Sequence, residues 1–210
     1  MKRKIVVSTG NSHKIDEIKN ILKDLPFEVI SKDQIGLKDL EIIEDGITLE
    51  ENSIKKAKAL SKNTDYMIIA DDSGLFVDAL NGEPGIYSSR FGGEEGNYSK
   101  NNEKLLKELK DISFENRNAS FKTVIALIKE NKEIITVEGE CKGRISFKNK
   151  GKGGFGYDPL FIPEGYDKSF SELGEEEKNK ISHRGKALEK FKKILVKLIE
   201  DEENENINNI

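Results

Sequence analysis

A single cysteine, Cys141, stands among the 210 residues, so no disulfide can form within the chain. It lies in a strand-like run, where a small buried residue is expected. Neither histidine has a sequence context that pairs it with the thiol, so a cysteine nucleophile is not expected. No window reaches the length of a membrane span. Met1-Lys2-Arg3-Lys4 leads into only Ile5, Val6 and Val7, too short an apolar stretch for a signal peptide. The expectation is a soluble, cytoplasmic protein without a membrane partner. Excess basic charge is also missing: 35 Lys and Arg face 39 Asp and Glu, for a net charge of -4. That balance argues against a protein that coats nucleic acid, while leaving room for a locally basic pocket. No internal repeat is present.

Hydrophobic and charged residues each make up 35% of the chain, enough for one core under a heavily charged surface. Residues 1–199 read as one domain, and residues 200–210 as an acidic, Asn-rich, disordered tail. Ile5-Val6-Val7 reads as a strand, followed by an amphipathic helix with Ile15, Ile18, Ile21, Leu22 and Leu25 on one face, stopped by Pro26. Residues 27–30 form a second strand. A helix over 48–60 starts at Thr48, whose spacing to Glu51 is that of a capping box. Residues 67–70 read as a buried strand. A helix spans 97–109, an antiparallel hairpin 120–128 and 133–140, and a last helix 182–199. The order β-α-β-α-β, then a hairpin and a final helix, predicts an α/β fold with a mixed sheet.

The chemistry concentrates in a few segments. Asp71 and Asp72 follow the strand at 67–70, then Ser73 and Gly74. One reading is a helix cap and a solvated acid. The other is a carboxylate pair at the end of a strand, where its charge calls for a hard cation such as Mg2+ and a substrate phosphate. Thr9, Gly10, Asn11 and Ser12 lead into a helix N-terminus, a natural anion site. Lys14 in the first turn is poorly placed for a cation unless an anion is near. The P-loop spacing is absent, and a plain βα turn capped by Asn11 or Ser12 explains the same residues. Glu44-Asp45-Gly46 is either a solvated turn or a second source of metal ligands. Gly153-Gly154-Phe155-Gly156-Tyr157-Asp158-Pro159 offers either an aromatic surface for a base or a structural turn. Lys178, His183 and Arg184 bring donors to the start of the last helix, where Ser182 is a natural cap; they read either as a charged, solvated helix start or as a site for an anionic or carbonyl-bearing partner.

Taken together, Thr9 to Lys14, the Glu44 turn, Glu51-Asn52 with Lys56, Ala70 to Gly74, Pro84 to Arg90, Gly153 to Pro159 and Ile181 to Gly185 resemble the Ham1-like family of noncanonical purine nucleoside triphosphate pyrophosphatases, the inosine/xanthosine triphosphatases. The motifs stand in that family's order from about residue 5 to 199. The resemblance implies an α/β fold with an elongated mixed β-sheet flanked by helices, and two lobes around a central substrate cleft. It implies a cytoplasmic homodimer that needs Mg2+ and releases monophosphate and pyrophosphate from a purine nucleoside triphosphate. By the same resemblance, Thr9, Gly10, Asn11, Ser12, His13 and Lys14 cradle the triphosphate. Glu44 and Asp72 hold Mg2+, and Asp72 is the general base. Ser73 contacts substrate, Lys56 and Arg90 neutralise phosphate charge, and Phe155 stacks on the purine. Gly156, Tyr157 and Asp158 shape that wall. Lys178, His183 and Arg184 face the base.

A physical account of base choice accompanies this reading. Inosine and xanthosine carry a 6-keto acceptor where adenosine carries a 6-amino donor. Donors from Arg184 or His183 pair with the first and oppose the second. Three alternatives compete with it: a Maf-like pyrophosphatase of pyrimidine or modified nucleotides, a non-catalytic nucleotide sensor, and a structural or partner-binding module, which predicts no saturable nucleotide binding. The Ser-His-Arg-Gly and Phe-Gly-Tyr-Asp segments argue against the first. The acids Glu44 and Asp72 argue against the second, because binding a polyanion alone favours fewer carboxylates.

Overall fold

The apolar runs of the sequence become strands of one mixed sheet in a computed structural model, which describes residues 2–208. The strands are β1 (Arg3–Val7), β2 (Phe27–Ser31), β3 (Met67–Val77), β4 (Pro84–Gly85), β5 (Asn118–Ile128), β6 (Ile134–Ile145) and β7 (Phe161–Pro163). The helices are α1 (Ser12–Leu22), α2 (Leu49–Ser61), α3 (Tyr98–Glu108), α4 (Glu175–Ile181) and α5 (His183–Asn208). The sheet order is β2-β1-β3-β5-β6-β7, with β4 paired to β3. β2, β1 and β3 are parallel; the remaining pairs are antiparallel.

Side-chain alternation along the strands decides what each face buries. Ile5, Val7 and Ile69 pack against α1 and α5 with Ile18, Leu22, Leu188 and Phe191. Val6, Ile68 and Ala70 face the other way, onto Ala57 and Leu60 of α2. A separate core gathers Leu75, Val77, Leu105, Phe121, Phe161 and Phe170 at the far end of the sheet. These two regions are the two lobes, and the long strands β3, β5 and β6 run through both. Each fully buried Leu, Ile or Phe contributes about 1.5–3 kcal/mol of transfer free energy.

Two expectations change here. The strand expected to stop at Ala70 continues through Asp71, Asp72, Ser73 and Gly74 to Val77. The reason is the unbroken ladder with β5, in which Asp71 lies opposite Ile125, Asp72 opposite Val124 and Ser73 opposite Thr123. The reading of the two acids as a helix cap is therefore wrong. The last helix also does not stop at Ile199. It runs on to Asn208, so residues 200–208 are helical where a disordered tail was expected. No Pro or Gly follows Gly185 to end the helix. The last two positions of that expected tail lie outside the described residues.

The decisive feature for the site is a gap. β1 pairs with β3 only over Met67, Ile68 and Ile69, and β4 joins β3 only at Leu75 and Phe76. Between these, Asp71 to Gly74 lie on an open edge, with backbone groups free to meet side chains.

Candidate active site

A cleft of about 260 Å3 opens at this gap, between the two lobes. Because successive residues of a strand point to opposite faces, Asp71 and Asp72 look in different directions. Asp72 faces α2 and the Glu44 turn; Asp71 faces α1 and the start of α5. The site thus collects residues from both faces of the sheet.

On the α2 side, the Lys56 ammonium lies 2.7 Å from Asp72 Oδ1 and 2.8 Å from Glu44 Oε2. It also donates to the Asp71 carbonyl at 3.3 Å. Thr48 caps α2 by accepting from the Glu51 N–H, which fixes the register that aims Lys56 and Asn52 inward. Glu51 itself accepts from the Ile47 N–H rather than closing the box on Thr48. Asn52 donates to Asp72 Oδ2 at 3.3 Å and accepts from the Gly46 N–H at 2.8 Å. It ties the Glu44 turn to Asp72. Burial pushes the Asp72 carboxyl above the usual range, only partly offset by Lys56. Lys56 is held charged: burial opposes its charge, but Asp72 and Glu44 outweigh it.

On the other side, Asp71 Oδ2 accepts from Lys14 Nζ at 3.0 Å, Arg184 Nε at 3.2 Å and Ser73 Oγ at 3.2 Å. Its Oδ1 is buried without a partner among the described residues. Burial alone would raise this carboxyl, but Lys14, Arg184 and Lys56 hold it well below the usual carboxylate range. Arg184 further donates to Glu17 Oε2 at 2.6 Å and to Ser73 Oγ at 3.1 Å. Lys178 reaches Glu17 Oε1 at 3.4 Å and Asp158 Oδ2 at 2.8 Å. Asp158 Oδ2 also accepts from the Phe155 N–H at 2.9 Å, closing the glycine loop on itself. Ser182 caps α5 as expected, accepting from the Gly185 N–H at 3.0 Å.

His183 is buried, stacked on Phe121 with ring centroids 4.7 Å apart. Burial, and then the charges of Arg184 and Lys178, keep it neutral well below the ordinary histidine range. Phe155 lies at the cleft with Lys178 Nζ 4.8 Å and Arg184 Cζ 5.7 Å from its centroid. The His13 ring stacks on it at 5.3 Å. A base that stacks on Phe155 therefore joins or displaces His13.

Of the residues singled out by sequence, Thr9, Asn11, Lys14, Glu44, Lys56, Asp72, Ser73, Phe155, Gly156, Tyr157, Asp158, Lys178, His183 and Arg184 line this one cleft. Gly10, Ser12 and His13 belong to the turn and first residues of α1 beside it. Asn11 is the α1 cap, accepting from the N–H groups of His13 and Lys14, so two donors of the expected phosphate cradle are already engaged. Tyr157 is buried and donates to the Ser88 carbonyl at 2.9 Å, a fold-closing role. Arg90 is misplaced by the sequence reading. It lies outside the cleft, over the Tyr87 ring at 5.2 Å, because Ser88 pins this segment to β3 through the Leu75 N–H. Glu17, which holds Arg184 and Lys178, is the position that sequence reasoning missed, while Asn52 was part of the Glu51-Asn52 motif but had no role assigned to it. Glu17 stands three residues after Lys14, on the same face of α1, which is the signal that could have found it. Cys141 is buried with its thiol pushed up to about 11 by burial, as an inert residue should be. A larger depression of about 920 Å3 lies on the outer face of β5 and β6, lined by Lys122, Glu140, Lys142 and Arg144. Its charges are of both signs and mostly solvated, so it lacks the buried, converging groups that mark the smaller cleft as the site.

Buried carboxylates, converging cations and an aromatic wall define a site for a small polyanion with a flat ring. The chain belongs to the Ham1 family, whose model matches residues 5–194. It is 49% identical over 198 residues to the dITP/XTP pyrophosphatase of Thermoanaerobacter pseudethanolicus, covering 94% of this chain and 99% of that one. It is 46% identical over 193 residues to the dITP/XTP pyrophosphatase of Bacillus subtilis, covering 92% and 97%. Among solved structures, the Ham1 protein of Staphylococcus aureus superposes with a TM-score of 0.81 at 40% identity, covering 92% and 98%. The HAM1 protein of Coxiella burnetii gives 0.84 at 38%, covering 93% and 99%. The Maf-like alternative gives way to this placement.

Proposed function

We propose that the chain hydrolyses noncanonical purine nucleoside triphosphates, those of inosine, deoxyinosine and xanthosine, to the monophosphate and pyrophosphate. The observation that carries this reading is the meeting of Asp72 and Glu44 on one ammonium at one end of a cleft whose other end holds Phe155, Lys178 and Arg184. The likeness to dITP/XTP pyrophosphatases supports it.

Lys14 and Lys56 meet the triphosphate. Both are buried enough for their charge to act in a low dielectric. Asp72 takes a proton from the attacking water. Burial raises its basicity, and Asn52 and Lys56 fix its two oxygens. Attack at the α-phosphorus forms one P–O bond and breaks the bond to the bridging oxygen, and pyrophosphate leaves with the displaced electrons. Glu44 and Asp72 fit Mg2+ by their chemistry: both are carboxylate donors, both converge on the Lys56 ammonium, and Mg2+ takes few protein ligands beside substrate phosphates. Bound there, Mg2+ supplies neutralising charge for the triphosphate and its departing end. Arg184 reads the 6-keto oxygen. We also propose, from the family resemblance, a homodimer working in the cytoplasm; no helix among the described residues is long and apolar enough to cross a membrane.

A turnover panel tests the activity. Inosine, xanthosine, deoxyinosine, adenosine, guanosine and thymidine triphosphates are assayed with and without Mg2+, with pyrophosphate and orthophosphate scored separately. The expected result is Mg2+-dependent pyrophosphate release from the first three, about tenfold or more faster than from the others. Orthophosphate as first product overturns the reaction, and saturable binding without turnover would favour the sensor.

A further inference from the structure

Lys14, the cation of the triphosphate end, and Arg184, the cation of the base end, share one carboxylate oxygen, Asp71 Oδ2, at 3.0 and 3.2 Å. Asp71 lies at the head of an alternating chain of charges. Arg184 continues to Glu17 at 2.6 Å, Glu17 to Lys178 at 3.4 Å, and Lys178 to Asp158 at 2.8 Å. Asp158 in turn accepts from the Phe155 N–H. The path joins the base wall to the phosphate lysine through buried and half-buried side chains. The Asp71 side chain has no solvent exposure, Arg184 is buried with it, and Lys14 is half-buried. Asp71 Oδ1 has no partner among the described residues, so Oδ2 carries both cations, and what one gains the other gives up.

We propose that Asp71 is a positioning residue through which recognition of the base sets the phosphate-end lysine; this rests on the reading of Arg184 as the base reader. A 6-keto oxygen draws the guanidinium toward the base and leaves Oδ2 to Lys14, which is then anchored beside the triphosphate. A 6-amino group opposes the guanidinium and drives it back onto Oδ2, and the anchor of Lys14 weakens. Base discrimination therefore enters kcat as well as KM. Glu17 holds the far side of Arg184 and keeps it near the cleft in either case. That leaves Asp71 as the group connecting the two ends.

Steady-state kinetics on inosine and adenosine triphosphates test this with wild type, Asp71→Asn and Arg184→Ala. Asp71→Asn keeps the shape but removes the charge that both cations share. The expected result is a kcat ratio between the two substrates that falls about fivefold or more toward unity, while the KM ratio stays within about twofold. Arg184→Ala lowers both ratios. Should Asp71→Asn slow both substrates equally and leave the kcat ratio intact, while Arg184→Ala lowers both ratios, the positioning role is overturned and the base reading stands. Unchanged ratios in Arg184→Ala overturn the base reading and this proposal with it. If Asp71→Asn fails to fold, Ser73→Ala takes its place. It removes the hydroxyl between Asp71 Oδ2 and Arg184 Nη2, and the kcat ratio should fall in the same direction; an unchanged ratio counts against the proposal.

Discussion

His183 is an imidazole without a charge, packed on Phe121 among Arg184, Lys178, Lys14 and Asp71. In the unfolded chain it takes a proton near pH 6.5; in the native protein it does not until far lower. The unfolded state therefore binds the extra proton below about pH 6.5, and the native state loses stability as pH falls through that value. His183→Phe keeps a ring against Phe121 and removes the titration. Urea unfolding should show wild type losing about 1.4 kcal/mol more than the variant between pH 7.5 and 5.5; parallel profiles would refute it. At this scale the sequence was informative wherever a residue's chemistry was unusual for its place. Lys14 in a first helical turn and Arg184 at a helix start both pointed to a bound anion, and the carboxylates beside them in the structure are the protein's own, Asp71 and Glu17. Glu17 was hard to find because its partners lie 161 and 167 residues away, and its spacing to Lys14 on α1 was the only local sign of it.

The start of α5 is held against β6 by the absence of a side chain. A Cβ on Gly139 would meet the His183 carbonyl and lie 2.7 Å from the Ala187 nitrogen, both backbone atoms that cannot turn aside. Gly139→Ala should push the first turn of α5 off the sheet, costing about 1–3 kcal/mol and lowering kcat/KM through Arg184. Gly174→Ala, with open space around it, serves as the control and should leave kcat/KM unchanged. Denaturant midpoints and kinetics on both variants check this; a stable, fully active Gly139→Ala would refute it. The amphipathic helices and the hairpin were legible because their periodicity is local. The extension of β3 through Asp71 and Asp72 was not, since acids followed by Ser and Gly resemble a turn and only the ladder with β5 makes them strand. The short α4 was also missed, its three glutamates in a row carrying no apolar repeat.

Across the whole molecule, the cleft exists because β1 stops after Val7 while β3, β5 and β6 continue into a second core. The net charge of -4 conceals a local concentration of Lys14, Lys56, Lys178 and Arg184 at that junction. Composition could exclude a nucleic-acid coat but could not place these cations together, because the topology does so. The α/β class and its mixed sheet were legible in the order of elements, the two lobes only through the family resemblance, and the gap that makes the site was not legible at all. The central claim is that water, activated by Asp72 in this gap, attacks the α-phosphorus. Hydrolysis of inosine triphosphate in 18O-enriched water tests it most directly. The account predicts one label in the monophosphate and none in pyrophosphate, with the rate falling about 10^2- to 10^4-fold in Asp72→Asn. Label in pyrophosphate, or a variant as fast as wild type, would contradict it.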